Sequence, residues 1–171
     1  VTIPSGVGAV PQLIGLVITN GIDGVSIESR AKVKHCYLVR NGDSFDFELG
    51  GGGAFLHNVF DQAGDDAIDI DHLVIDARFV DNRIYDSADD GIEMRLQDDV
   101  IATTAQASFL GNQIVGSGED AIQIIDYFGL TDRRIVIDGN LIRDTTMAAI
   151  GLMSGGKTLE DYRAANVKEP I

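Results

Sequence analysis

The chain has 171 residues, 44% of them hydrophobic, with 20 Gly and no Trp, a composition that supports a sizeable core and argues against disorder. Acids outnumber bases 27 to 13, which gives a formal charge of −14. This balance argues against nucleic acid and anionic lipid as partners, because both require basic surfaces. No apolar run approaches the ~18 residues of a membrane-spanning helix, so we expect no membrane insertion.

Six repeat units follow one another along the chain. Their cores are the segments 19–27, 39–47, 61–70, 86–94, 116–124 and 144–152. The third, fourth and fifth cores contain GDDAIDI, ADDGIEM and GEDAIQI, in which paired acids precede a small residue and alternating aliphatic residues. A repeat of roughly 20–30 residues is typical of one coil of a β-solenoid.

Aligned units share apolar columns. One column contains Val25, Phe45, Ile68, Ile92, Ile122 and Ile150, and two positions later another contains Ile27, Phe47, Ile70, Met94, Ile124 and Leu152. Mostly polar residues lie between them, so the pattern predicts a short strand with one buried face, with Ile92 buried between Ile68 and Ile122. Two further columns are expected upstream: Phe55, Phe79 and Phe109, and then Val17, Tyr37, Phe60, Ile84, Ile114 and Ile142.

A recurring Asn marks a turn in four units, at Asn58, Asn82, Asn112 and Asn140. Asn tolerates left-handed backbone geometry and can hydrogen-bond neighbouring coils. His35 and His57 lie in or beside this column, and we expect them to be hydrogen-bonding turn residues.

The Asn column and the DDAIDI, DDGIEM and EDAIQI segments resemble the right-handed parallel β-helix repeats of the pectate-lyase-like superfamily, from about Leu13 to Met153. The resemblance implies an all-β fold, a single-stranded right-handed parallel β-helix (solenoid) of about six coils. We expect residues 1–171 to form a single domain of a longer, secreted or cell-surface protein, with 157–171 as a C-terminal cap or the start of a further coil. Exposed strand edges at the ends favour a homo-oligomer formed by end-to-end or edge stacking.

The paired acids fall into two columns. The second acid recurs in five units, as Asp23, Asp43, Asp66, Asp90 and Asp120, and is expected to accept backbone N–H groups at the turn. The first acid occurs only as Asp65, Asp89 and Glu119, which are expected to point outward, separated from Asp69 and Glu93 by a strip of small residues. Coils about 4.8 Å apart would bring these carboxylates together, so a protonated carboxyl or a bound Ca²⁺ would relieve their repulsion. The alternative is a solvated acidic face.

One stretch is similar to polygalacturonase-type hydrolases. Asn41-Gly42-Asp43 precedes Gly64-Asp65-Asp66 by one coil, as N-T-D precedes G-D-D-C in that family. Gly42 and Ala67 replace the Thr and the Cys, and neither G-H-G nor R-I-K follows, which argues against such a hydrolase. For a lyase, the superfamily resemblance implies an Arg or Lys base and Ca²⁺. Arg95 is then the candidate base, with Asp65 and Asp89 as further catalytic candidates, and the alternative for Arg95 is an inter-coil salt bridge.

Two insertions, 95–106 and 125–134, leave the same strand edge in adjacent coils and are expected to cluster. Such loops commonly carry recognition, so Tyr127, Arg133 and Arg134, together with His72, are candidate substrate-binding residues, and filler insertions are the alternative.

The sequence therefore leaves two functions open. One is a carbohydrate-associated domain that binds or cleaves an acidic polysaccharide with Ca²⁺ held by Asp65, Asp89 and Glu119, as a polysaccharide lyase or glycoside hydrolase if it is an enzyme. The alternative is a non-catalytic structural or adhesion module of a cell-surface protein.

Overall fold

The computed structural model describes residues 1–6, 8–48, 51–71, 76–96, 106–126 and 134–154. Within these ranges every regular element is a β-strand, so there is no helix that could cross a lipid bilayer. The strands are, in chain order, β1 (Thr2–Ile3), β2 (Gln12–Ile14), β3 (Val17–Thr19), β4 (Asp23–Ile27), β5 (Arg30–Lys34), β6 (Tyr37–Val39), β7 (Asp43–Asp46), β8 (Gly52–Leu56), β9 (Val59–Asp61), β10 (Ile68–Ile70), β11 (Ala77–Val80), β12 (Arg83–Tyr85), β13 (Ile92–Leu96), β14 (Gln106–Leu110), β15 (Gln113–Val115), β16 (Ile122–Asp126), β17 (Arg134–Asp138), β18 (Leu141–Arg143) and β19 (Gly151–Ser154).

Successive strands visit three parallel sheets in turn. Sheet 1 has seven strands, in the order β1-β4-β7-β10-β13-β16-β19. Sheet 2 has six, β2-β5-β8-β11-β14-β17, and sheet 3 has six, β3-β6-β9-β12-β15-β18. The chain is therefore an all-β parallel solenoid, which confirms the fold class predicted from the repeats. The right-handed sense of the winding stays a prediction.

The structure of sheet 1 confirms its predicted apolar columns from Val25 to Ile122 and from Ile27 to Ile124, whereas Leu152 in the last strand is 47% exposed. Ile92 pairs with Ile68 on one side and Ile122 on the other, and all three are fully buried. Two positions later Met94 pairs with Ile70 and Ile124 in the same way. Alternation with period two places these side chains inside the coils, where they form one continuous core.

Sheet 2 contributes the predicted column of phenylalanines. Phe79 pairs with Phe55 and Phe109, with ring centroids 4.9 and 5.1 Å apart and rings 19° and 18° from parallel. All three rings are buried. The coil spacing sets this separation, so identical residues in successive coils stack.

In sheet 3, the predicted apolar column that begins with Val17 and Tyr37 is wrong in its first two coils. Val17 and Tyr37 are 70% and 37% exposed, and Ile18 and Leu38 occupy the inward positions next to Phe60. The prediction applied one fixed spacing, but the turn before sheet 1 is one residue shorter in these two coils. A slip of one residue moves a strand's side chains to the opposite face.

The recurring Asn residues form a buried hydrogen-bonded ladder. Asn82 Oδ1 accepts the backbone N–H and the Nδ2–H of Asn58, at 2.9 and 3.1 Å. Asn82 Nδ2 donates to Asn112 Oδ1 and to the Phe55 carbonyl. The predicted contacts between coils are confirmed, but the left-handed residue is the one before each Asn, namely His57, Asp81, Gly111 and Gly139. His35 has the same backbone geometry before Cys36.

Both histidines are turn residues with positive φ, so the predicted position at the turn is confirmed. The rings of His35 and His57 stack with centroids 5.2 Å apart, and His57 Nδ1 lies 3.7 Å from a carboxylate oxygen of Asp81.

Candidate functional site

The second acid of each pair lies at the turn that leads into sheet 1. Asp66 Oδ1 accepts the backbone N–H of Asp90 at 2.7 Å, and Asp90 Oδ1 accepts that of Asp120 at 2.7 Å. Asp43 and Asp120 make the equivalent bonds to Asp66 and Ala148. This aspartate ladder confirms the predicted structural role, since each carboxylate supplies the acceptor that a buried N–H group requires.

Burial makes these carboxylates hard to ionise. Burial, reinforced by the charges of Glu93 and Asp90, raises the pKa of Asp66 to about 10. Burial also raises the pKa of Asp90 to about 9, although the N–H of Asp120 opposes the shift. The ladder therefore favours bound protons, or another positive charge, over a row of bare carboxylates.

The first acid of each pair is more accessible. Asp65 is exposed, and Asp89 and Glu119 are half-buried. They occupy one position in successive coils, because Asp89 N–H donates to the Asp65 carbonyl at 3.2 Å and Glu119 N–H to the Asp89 carbonyl at 3.0 Å.

The two acid columns converge into groups of three carboxylates. Asp65, Asp66 and Asp89 have oxygens within 4.8 Å of one another, and so do Asp89, Asp90 and Glu119. The three residues predicted to share one ion are thus split between two groups that share Asp89. Binding of one ion by all three residues stays a prediction.

A third group of carboxylates is more buried, and the sequence analysis did not predict that its members lie together. Asp66, Asp69 and Glu93 also bring their oxygens within 4.8 Å of one another. Glu93 is only 7% exposed, although strand alternation aims it away from the core. Its neighbours in the same row, Asp46 and Gln123, are 9% and 3% exposed, so this part of sheet 1 is not a solvated face.

The prediction that small residues form an accessible strip between the two rows of acids is wrong for the central coils. Ser44, Ala67, Gly91 and Ala121 are buried. A Cβ added to Gly91 would lie 2.6 Å from Cγ2 of Ile114, inside the core. The turn interrupts strand alternation here, so parity counted back from the strand gives the wrong face.

Arg95 bridges carboxylates of two coils. Its Nη1 lies 3.2 Å from Asp69 and also contacts Asp71, and its Nη2 contacts Glu93. Burial opposes the charge of Arg95, but Glu93 and Asp69 outweigh it and raise the pKa of the guanidinium above its usual value. The geometry supports the salt-bridge alternative, and a catalytic role for Arg95 stays a prediction.

Three of the four predicted substrate-binding residues, His72, Tyr127 and Arg133, lie outside the described ranges. The same holds for most of both insertions and for residues 157–171. Arg134 is exposed at the start of β17 in sheet 2, whereas the acid groups lie at sheet 1.

A groove of about 470 Å³ lies on the Asn turn, away from the acid groups. It is lined by His57, Asn58, Val59, Asp81, Asn82, Arg83, Gly111 and Gln113. Since it contains no member of the carboxylate groups, it does not extend the candidate site.

The donor set fits a hard divalent cation. Carboxylate oxygens are the ligands that Ca²⁺ and Mg²⁺ prefer, and Ca²⁺ accepts six to eight of them in flexible geometry. Asp66 and Asp90 belong to these groups and also accept N–H bonds through Oδ1. One signal in the sequence indicates that these residues can serve both roles, the adjacency of the two acids in GDDA and ADDG.

Comparison of the chain with models of known protein families, with curated proteins and with solved structures found no match.

Proposed function

We propose that this β-solenoid binds an acidic polysaccharide through Ca²⁺ held between adjacent coils, as the pectate-lyase-like resemblance of its repeats suggests. The ion would lie at the group of Asp65, Asp66 and Asp89 and at that of Asp89, Asp90 and Glu119. A secreted or cell-surface location is part of the proposal, because such polysaccharides lie outside the cell.

One observation carries the proposal: carboxylates of neighbouring coils have oxygens within 4.8 Å of one another, with an exposed or half-buried member in both groups. The carboxylates of such a group repel one another unless positive charge is added. Ca²⁺ supplies that charge and has coordination positions left for a uronate carboxylate.

Binding fits the site better than cleavage. A lyase requires a base that releases its proton near neutral pH, and three carboxylates hold the proton of Arg95 more tightly. We therefore expect polygalacturonate incubated with the protein and Ca²⁺ to gain no new reducing ends, and appearance of such ends would contradict binding without cleavage.

Calorimetric titration with CaCl₂ and thermal melts test the ion. Binding to the folded state alone should stabilise it by about 2.7 kcal/mol at 100 times Kd, and a chelator should reverse the gain. The triple variant Asp65→Asn, Asp89→Asn, Glu119→Gln should lose the Ca²⁺-specific shift and Ca²⁺-dependent retention on a polygalacturonate column.

A matched triple variant, Glu48→Gln, Asp86→Asn, Asp138→Asn, removes the same charge at exposed positions outside these groups. It should keep both responses. If all three proteins respond equally, and NaCl at matched ionic strength has the same effect as CaCl₂, screening explains the stabilisation and the proposal is wrong.

A second candidate is a structural or adhesion module. Its support is that the Asn ladder and the aspartate ladder run through successive coils and satisfy backbone groups in each. A wild-type protein that binds Ca²⁺ but no polysaccharide would favour this module over the polysaccharide-binding domain.

A further inference from the structure

The outer face of sheet 2 concentrates positive charge in an acidic chain. Arg30, Lys32 and Lys34 alternate in β5 with the buried Ala31 and Val33, so their side chains lie on the outer face. On β11, the exposed Arg78 lies between the buried Ala77 and Phe79 and adds a fourth cation to this face. With a formal charge of −14 for the whole chain, these four cations of β5 and β11 are a strong local departure from its negative charge.

The register places two of these cations on either side of a small residue. Lys32 pairs with Ala54, and Ala54 pairs with Arg78, so Lys32 and Arg78 flank Ala54 from the neighbouring coils. Their Cα atoms are therefore about 9.6 Å apart, twice the spacing of adjacent strands. Two long side chains at this separation can contact one small anionic group above Ala54.

A groove of about 400 Å³ lies over this position. Its lining includes Arg30, Lys32, Gly53, Ala54, Asp76 and Arg78. Gly53 has φ +113°, and a Cβ there would lie 1.9 Å from the Ala31 carbonyl oxygen, so no side chain can fill this part of the groove.

Asp76 positions the two arginines at the edge of the groove. Its Oδ2 lies 3.2 Å from Arg30 Nη2 and its Oδ1 3.5 Å from Arg78 Nε. A guanidinium has five N–H donors, so the contact with Asp76 occupies one of those of Arg78. Lys32 forms no ion pair within the described part of the chain.

We propose that this groove is a binding site for an oxyanion, a carboxylate or a sulfate group, contacted by Lys32 and Arg78 with Arg30 beside them. A guanidinium binds either group through two parallel hydrogen bonds, and an ammonium adds a point charge. The site uses no residue of the carboxylate groups at sheet 1, so it stands independently of the Ca²⁺ proposal.

The test is an NMR titration of the whole chain that follows the Nε–H signal of Arg78. The probes are sodium sulfate and trigalacturonate, with neutral galactotriose as the uncharged control and NaCl to hold ionic strength constant. We expect the signal to shift saturably with at least one anionic probe, with Kd below about 10 mM, and not with galactotriose. The probe with the lower Kd identifies sulfate or carboxylate as the preferred group.

A double variant, Lys32→Gln with Arg78→Gln, should weaken binding at least tenfold, measured by calorimetry with the preferred probe. The control pair Arg83→Gln with Arg143→Gln removes the same charge from exposed residues of sheet 3 and should change Kd less than twofold. Equal weakening in both pairs would show non-specific attraction. That result, or the absence of a saturable shift with either anion, would overturn the proposal.

Discussion

At the scale of single residues, Asp90 shows how one carboxylate supports the turn into sheet 1. Its Oδ1 accepts the N–H of Asp120, while its own N–H donates to Asp66 Oδ1. Asp89, its neighbour in sequence, contributes its backbone to the coil-to-coil bonding and is half-buried. Adjacent residues of the same chemistry therefore have different roles.

Replacement of these two acids should have unequal effects. Asp90→Ala should lower the free energy of unfolding by about 1–3 kcal/mol, because the buried N–H of Asp120 loses its acceptor. Asp89→Ala should lower it by less than about 0.5 kcal/mol, because the half-buried carboxylate of Asp89 lies among others that repel it. Urea denaturation of both variants measures the difference, and equal losses would contradict the assignment of the two columns.

The buried carboxylates also predict how stability depends on pH. In the folded chain burial raises the pKa of Asp66 to about 10 and of Asp90 to about 9, whereas in the unfolded chain they titrate near 4. Between these values the folded state holds protons that the unfolded state releases. Stability should therefore be highest near pH 4 and fall as pH rises towards 9.

Thermal melts from pH 4 to 9 in a chelator should show this fall, with a limit of about 1.4 kcal/mol per pH unit for each such group. Asp90→Asn keeps an oxygen acceptor and removes one titrating group, so its stability should depend less on pH. A melting temperature that rises from pH 5 to 8 would contradict the buried, protonated ladder.

At the scale of the strand, β13 shows how neighbouring coils form the core. Ile92 and Met94 face inward and are fully buried, while Glu93 and Arg95 face outward and pair with each other. The inward side chains contact the equivalent positions of β10 and β16, so one strand is stabilised by the coil on either side of it.

Truncation of Ile92 should therefore be costly. Ile92→Ala should lower the free energy of unfolding by about 2–5 kcal/mol, from lost burial and the cavity left between Ile68 and Ile122. Ile22→Ala is a matched control, because Ile22 is 89% exposed and should change stability little. Chemical denaturation compares the two, and a similar small loss in both would mean that the apolar columns are not the core.

At the scale of the whole molecule, the solenoid has open strand edges in the described ranges. β1, β2 and β3 are terminal in their sheets at one end, and β17, β18 and β19 at the other. Leu152 pairs with the buried Ile124 yet is 47% exposed, so the core column is less covered in the last strand. Unpaired parallel edges favour addition of another strand.

End-to-end stacking of copies stays a prediction, which sedimentation velocity can test directly. Sedimentation velocity should show an average mass that rises with protein concentration, and Leu152→Lys should reduce it because a charge at the open column opposes stacking. Val59→Lys is a control on sheet 3, far from both terminal coils. A wild-type mass that stays monomeric up to about 1 mM would contradict stacking.

The sequence predicted the solenoid because its signals are local and repeated. Alternation within a strand identifies the inward residues, and equal positions in successive coils meet, as Phe55, Phe79 and Phe109 do. The Asn and second-acid columns were identified in the same way, and their hydrogen bonds between coils confirm them.

What the tertiary structure decided is which side chains meet across coils where the spacing is irregular, and which faces are covered. A turn shorter by one residue placed Ile18 and Leu38 in the core in place of Val17 and Tyr37. Burial of Glu93, its approach to Asp66 and Asp69, and the bridge from Arg95 depend on how coils stack. These arrangements are set by contacts between residues some 24 to 27 positions apart, and periodicity within one strand carries no information about them.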